Sequence, residues 1–133
     1  MNKRVLNYFV PIIFFGAFLG TLFIWNMAIG PQPVKKQMVI CYKFNENTEK
    51  VVIEKHIADF RNLKLKNSEI VNYTAGFTIS TEGEKPEYDV MHYLTFKTDE
   101  DIENFKSSES FKDFVNTHES NWKTQMVINA EIK

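Results

Sequence analysis

The sequence predicts an α+β domain of element order β-α-β-β-α-β, a ferredoxin-like unit preceded by one N-terminal transmembrane helix. Three observations predict it: an uncharged stretch from Val5 to Val34, four short segments of period-two apolar alternation, and two intervening segments with apolar residues at helical spacing. The 133 residues, 44% hydrophobic and 25% charged, suit one domain of about 100 residues plus an appendage. The expected divisions are a membrane anchor over 1–30, a linker over 31–37 and the domain over 38–133.

Phe9 to Ala28 reads FVPIIFFGAFLGTLFIWNMA, about the 20 mostly apolar residues that a helix needs to cross a hydrocarbon core of roughly 30 Å. An uncleaved anchor is expected over a cleaved signal, because the nearest small-residue site, Ala28-Ile29-Gly30, is followed by Pro31. Lys3 and Arg4 before the span nearly balance Lys35 and Lys36 after it. The short basic tail resembles a signal anchor, which gives a single-pass membrane protein with its domain extracytoplasmic. The single Cys41 permits no internal disulfide and lies too far on for lipid attachment. The PQPVKKQ stretch is a short polar spacer. Removing Lys3 and Arg4 from the 16 basic residues leaves 14 against 17 acidic ones, a formal charge of −3 on the exported part. Nucleic acid is excluded as a partner, since phosphate contacts demand a basic surface.

Met38 to Phe44 is the first strand, with Met38, Ile40, Tyr42 and Phe44 on one face. Thr48 is the expected N-cap of a helix in which Val52, Ile53, His56, Ile57, Phe60 and Leu63 form the apolar stripe. Ile70 to Ile79 alternates as a second strand, with Val71, Tyr73, Phe77 and Ile79 on one side. Thr81 to Glu87, holding Gly83 and Pro86, makes a hairpin-like return, and Tyr88 to Lys97 is the third strand, with Val90, His92, Leu94 and Phe96 together. Asp99 to Lys123 is helical and broken near Ser107, Ser108 and Ser110, where a second cap can form. Met126 to Ile132 is the fourth strand, with Met126, Ile128, Ala130 and Ile132 expected to face inward.

Helices on one face of such a sheet leave the other to Val39, Cys41, Met91, Tyr93, Thr95 and Val127, which is too apolar for water. Burial against a second copy is worth about 25 cal/mol per Å² of apolar surface, so a homodimer is expected.

The segments MVICYKFNENT, IADFRNLK, YTAGF, YDVMHYLTFKTDEDIENF and FKDFVNTHESNWK, in this order from Met38 to Ile132, resemble the stress-responsive dimeric α/β-barrel (Dabb) family. The resemblance implies two sheets joined back to back as a dimeric barrel, and a small hydrophobic cavity between each sheet and its helices. That cavity would be lined by Met38, Tyr42, Tyr73, Val90, His92, Phe105, Phe111, His118 and Trp122. Some family members, such as a plant polyketide cyclase, are cofactor-free enzymes that use histidine and tyrosine there. The matching positions here hold Met38, Val90, Phe105 and Phe111, and the cyclase's His-Pro-Ala-His run becomes Ser108-Glu109-Ser110-Phe111. Phenylalanine moves no proton, so that mechanism is not inherited.

His92 with Tyr42 can polarise a carbonyl, with His92 as acid or base near neutral pH. The alternative is a buried histidine satisfied by one hydrogen bond. His56 and His118 are read as helix-border histidines capping the core. Trp122, with Phe111 and Phe114, is either core or a box for a flat apolar molecule. No cofactor is expected, and three scattered histidines without ligand spacing give no metal site. Two functions follow: a membrane-anchored, non-catalytic dimeric module binding a small apolar ligand, or a cofactor-free enzyme of the cyclase or monooxygenase type working through His92 and Tyr42. A His92 that titrates near neutral pH would favour the enzyme.

Overall fold

The computed structural model describes residues 11–22 and 36–133. The chain divides into two compact units, Met1–Gln32 and Pro33–Lys133.

In the first unit the described residues 11–22 are helical, about 18 Å at 1.5 Å per residue. Among the described residues no helix is long and apolar enough to cross a membrane, which overturns the expected transmembrane helix over Phe9–Ala28 and the single-pass membrane location built on it. The ends of that expected span, and the linker as far as Lys35, lie outside the described residues.

The second unit carries β1 (Lys36–Phe44), α1 (Lys50–Lys66), β2 (Asn72–Phe77), β3 (Val90–Phe96), α2 (Asp99–Ser107), α3 (Glu109–His118), a short 3₁₀ turn (Glu119–Asn121) and β4 (Trp122–Glu131). The order is the ferredoxin-like one, with the second helical region split in two. The strands form one sheet, β2-β3-β1-β4, paired antiparallel throughout. β1 takes in Lys36 and Gln37 ahead of the expected first-strand start at Met38, and β2 stops at Phe77, leaving Ile79 outside it.

Caps explain the helix boundaries. Thr98 Oγ1 accepts from the Asp101 N–H at 3.1 Å to start α2, and Ser108 Oγ accepts from the Phe111 N–H at 3.3 Å to start α3. Ser108 supplies the expected second cap. Thr48 does not cap α1: its hydroxyl donates to the Asn45 carbonyl at 2.7 Å, and the N-cap is Glu49, whose side chain makes no cap bond. A local turn thus captures the threonine before the helix begins.

The core lies between the sheet and the helices. Met38, Ile40, Tyr42 and Phe44 of β1 and Val90, Leu94 and Phe96 of β3 meet Phe60, Leu63, Ile102, Phe105 and Phe114 from the helices. Asn67 ties α1 to α3, its Nδ2 donating to the Leu63 carbonyl at 2.8 Å and to Ser110 Oγ at 2.9 Å. Asp89 fastens the start of β3 to β1, accepting from Lys43 Nζ and from the Phe44 N–H at 2.8 Å each.

The orientation of β4 differs from expectation. Ile40 pairs with Val127 and Val39 with Ile128, and directly opposed residues share a face. Val127 therefore points to the helix side, while Met126, Ile128 and Ala130 join Val39, Cys41, Met91 and Tyr93 on the open face. Cross-strand register decided this, and an unbroken apolar run such as Met126 to Ile128 does not announce its register.

Candidate functional site

Four side chains on four elements form one polar chain through the core. His56 lies on the buried stripe of α1 with Phe60 and Leu63. His92 occupies the middle of β3, where burial alternates strictly. Tyr73 of β2 faces the same way, because its neighbour two residues on, Ala75, is the cross-strand partner of His92. Trp122 opens β4 opposite Phe44, just past a register shift in β1. His56 Nε2 and His92 Nε2 are 3.0 Å apart, His92 Nδ1 and the Tyr73 hydroxyl 2.9 Å, and Trp122 Nε1 and His56 Nδ1 3.3 Å. Both histidines are 0% exposed.

Aromatic rings hold this chain in place. Phe60 stacks on His92 at 3.9 Å between centroids and on Tyr73 at 5.5 Å, while Tyr42 meets His56 edge-on at 4.6 Å and His92 at 5.5 Å.

The indole N–H fixes the tautomers. An indole can only donate, so His56 Nδ1 accepts and the proton of a neutral His56 sits on Nε2. That proton points at His92 Nε2, which accepts, so His92 carries its own proton on Nδ1 and donates to the Tyr73 oxygen. A second proton on either ring finds no acceptor without breaking the indole bond. Burial and the neighbouring rings act in the same direction. Desolvation, then the nearby His118, push His56 down to about 3 against the pull of Asp59. Desolvation, then His56, push His92 down to about 2. His92 is thus held neutral, and does not titrate near neutral pH as an acid-base catalyst would.

His92 and Tyr42 lie in the same layer, their rings edge-on at 5.5 Å, without a hydrogen bond between them. Tyr73 holds the His92 ring, and the Tyr42 hydroxyl is buried with no hydrogen-bond partner among the described residues. Desolvation, then Tyr73, push the Tyr42 phenol above its ordinary range. Burial pushes Tyr73 up to about 12, with Arg61 pulling the other way.

The remaining expected pocket residues pack on one another. Met38, Val90 and Phe105 are 0% exposed, and Phe105 and Phe111 rings lie 4.7 Å apart. His118 points elsewhere: its Nε2 is 2.9 Å from Asp59 Oδ2, which also accepts from Lys55. Burial raises the Asp59 carboxyl, but the Lys55 and His118 hydrogen bonds outweigh it and hold the group below the usual carboxylate range. Among the described residues no cluster of three or more His, Cys, Asp or Glu side chains is placed to hold a metal ion.

Two grooves open beside this core. One, of about 180 Å³, runs between α1 and α3 past Asp59, Asp113 and His118. The other, of about 330 Å³, lies between α1 and the end of β2, with Ile57, Ala58 and Phe77 as its apolar surface and Lys50, Glu54 and Arg61 around it. Sequence reasoning missed His56 as a partner of His92. Its signal was present in the spacing, since His56 is three residues after Ile53 and four before Phe60 on one apolar stripe.

A protein of this class is a ferredoxin-like domain with an aromatic, histidine-bearing core. The family model for the stress responsive A/B barrel domain (Dabb) matches residues 37–132, and the chain belongs to that family. No curated protein matches the sequence. Among solved structures, the chain is similar to a hydroxynitrile lyase from Passiflora edulis at 19% identity, covering 77% of this chain and 96% of that one with a TM-score of 0.67. It is also similar to a dimeric ferredoxin-like protein of unknown function from Thermobifida fusca, at 11% identity, 78% and 96% coverage and a TM-score of 0.65. A Dabb family protein from Mesorhizobium loti matches at 8% identity, 74% and 96% coverage and a TM-score of 0.63. Identities this low establish the shared fold and leave activity open.

Proposed function

We propose that this domain is a non-catalytic homodimeric module that binds a small apolar ligand in the groove between α1 and β2. The observation that carries the reading is Phe77, which stays 60% exposed where it borders that groove of about 330 Å³ together with Ile57 and Ala58. This volume falls at the small end of ligand sites, about 300–1,000 Å³. The layer between sheet and helices, which the family resemblance offered as the cavity, is occupied by packed side chains, so a ligand has more room at the groove.

The dimer rests on a separate surface. Val39, Met91, Tyr93, Met126, Ile128 and Ala130 share the open face of the sheet, and such a face is stabilised by covering it. Solved neighbours described as dimeric ferredoxin-like proteins support the same arrangement.

Native mass spectrometry of the gently purified full chain tests both parts. The expected result is a dimer with a retained small-molecule mass, which Phe77→Asp abolishes. A monomer overturns the dimer, and a bound mass indifferent to Phe77→Asp overturns the groove.

One observation favours cofactor-free proton transfer as a second reading: the continuous hydrogen-bonded chain from Trp122 to Tyr73. Turnover that survives Tyr73→Phe would rule this reading out.

A further inference from the structure

The open face of the sheet carries a row of sulfur atoms that neither the groove nor the histidine chain uses. Cys41 of β1 pairs with Met91 of β3 on one side and with Met126 of β4 on the other. Directly opposed residues share a face, with Cβ atoms about 4.5–5.5 Å apart, so two thioether arms flank one thiol across three strands. Cys41 is a free thiol and 0% exposed, and both methionines are half-buried. The one sulfur hydrogen bond among the described residues runs from the Tyr93 hydroxyl to Met91 Sδ at 3.5 Å, so Cys41 Sγ and Met126 Sδ have no partner there. Gly76 continues the row beyond Met91 and has open space where a side chain would stand, which leaves the Met91 arm room to turn.

We infer that Met91, Cys41 and Met126 form a three-sulfur site for a soft monovalent metal ion, Cu(I). Thiolate and thioether donors select such an ion, whereas magnesium, calcium and manganese call for oxygen donors. The neighbouring open-face residues Val39, Tyr93, Ile128 and Ala130 bring no carboxylate or imidazole to the row. His92, next after Met91 in the chain, points to the helix side of the sheet. Burial raises the Cys41 thiol above its ordinary value, so the sulfur keeps its proton until a bound cation displaces it to solvent. One Cu(I) on one thiolate is neutral overall, and the two thioethers add donors without adding charge. A neutral centre suits an apolar face that a second copy covers. The site stands independently of the α1/β2 groove, whose Phe77 is on the helix side with Val90.

Anaerobic titration of the reduced full-length protein with Cu(I), supplied as its acetonitrile complex in competition with bicinchoninate, measures the site. The expected result is one Cu(I) held per chain, with a copper K-edge X-ray absorption spectrum that shows sulfur neighbours alone. Met91→Leu and Met126→Leu conserve volume and should each weaken Cu(I) binding about tenfold or more, the scale seen even for indirect partners of a metal ligand. Both variants should retain the circular dichroism spectrum. Cys41→Ser should abolish binding, and excess Zn(II) should leave the Cu(I) in place. Failure to bind Cu(I), imidazole nitrogen in the copper shell, or full affinity in the Met91→Leu/Met126→Leu double variant overturns the three-sulfur site.

Discussion

Acid should weaken this fold through His56 and His92 before its carboxylates are neutralised. In the unfolded chain a histidine titrates near 6.5, whereas in the fold these two are held down at about 3 and about 2. Within that window the unfolded chain binds protons that the fold refuses. Stability therefore rises with pH, is complete above the unfolded value, and is lost as pH falls below it. Each pH unit below the unfolded value costs about 1.4 kcal/mol per histidine, so two units cost about 3 kcal/mol for one and about 5 kcal/mol for the pair. That is a large share of the roughly 5–15 kcal/mol that stabilises a typical domain. Asp59, held below 3.8, contributes little over the same range. Urea unfolding followed by tryptophan fluorescence from about pH 7 to about pH 4.5 measures the slope directly. A free energy of unfolding that stays flat across this interval would refute a buried neutral pair.

Three further outcomes follow from the contacts. Trp122→Phe removes the donor facing His56 Nδ1, so the nitrogen becomes free to take a proton; the His56 pKa should rise, read by NMR titration, at a cost of about 1 kcal/mol for the lost bond. Asp89→Ala deletes the acceptor shared by Lys43 Nζ and the Phe44 N–H, and should lower stability by about 1–3 kcal/mol in thermal unfolding. Ile128→Lys puts a charge on the open face at a side chain already 46% exposed. It should convert the dimer to a monomer by light scattering while the circular dichroism spectrum is retained.

Much of the domain was legible because its elements have strong periods. Strict alternation in Val90 to Phe96 and the Ser108 break between α2 and α3 translate directly into structure. The apolar N-terminal run was misleading, since hydrophobic length alone does not make a spanning helix. The face of β4 was not readable either, because Met126, Val127 and Ile128 are apolar in succession and only pairing with β1 assigns them. At the site, periodicity placed His92 and Tyr42 on the correct side of the sheet. It could not say which tyrosine reaches His92, because Tyr42 and Tyr73 both face the helices and a hydrogen bond depends on the ring's reach across strands. The pairing of His56 with His92 joins residues far apart in sequence, so only tertiary packing reveals it.

The protonation state of the two histidine rings is the most direct test of the hydrogen-bonded chain from Trp122 to Tyr73. Two-bond nitrogen–proton NMR correlation of the ¹⁵N-histidine-labelled protein at neutral pH distinguishes the tautomers. The expected spectrum shows His56 protonated on Nε2 with a bare Nδ1, and His92 protonated on Nδ1 with a bare Nε2. Either ring in the opposite tautomer, or as an imidazolium, would contradict the direction of the chain.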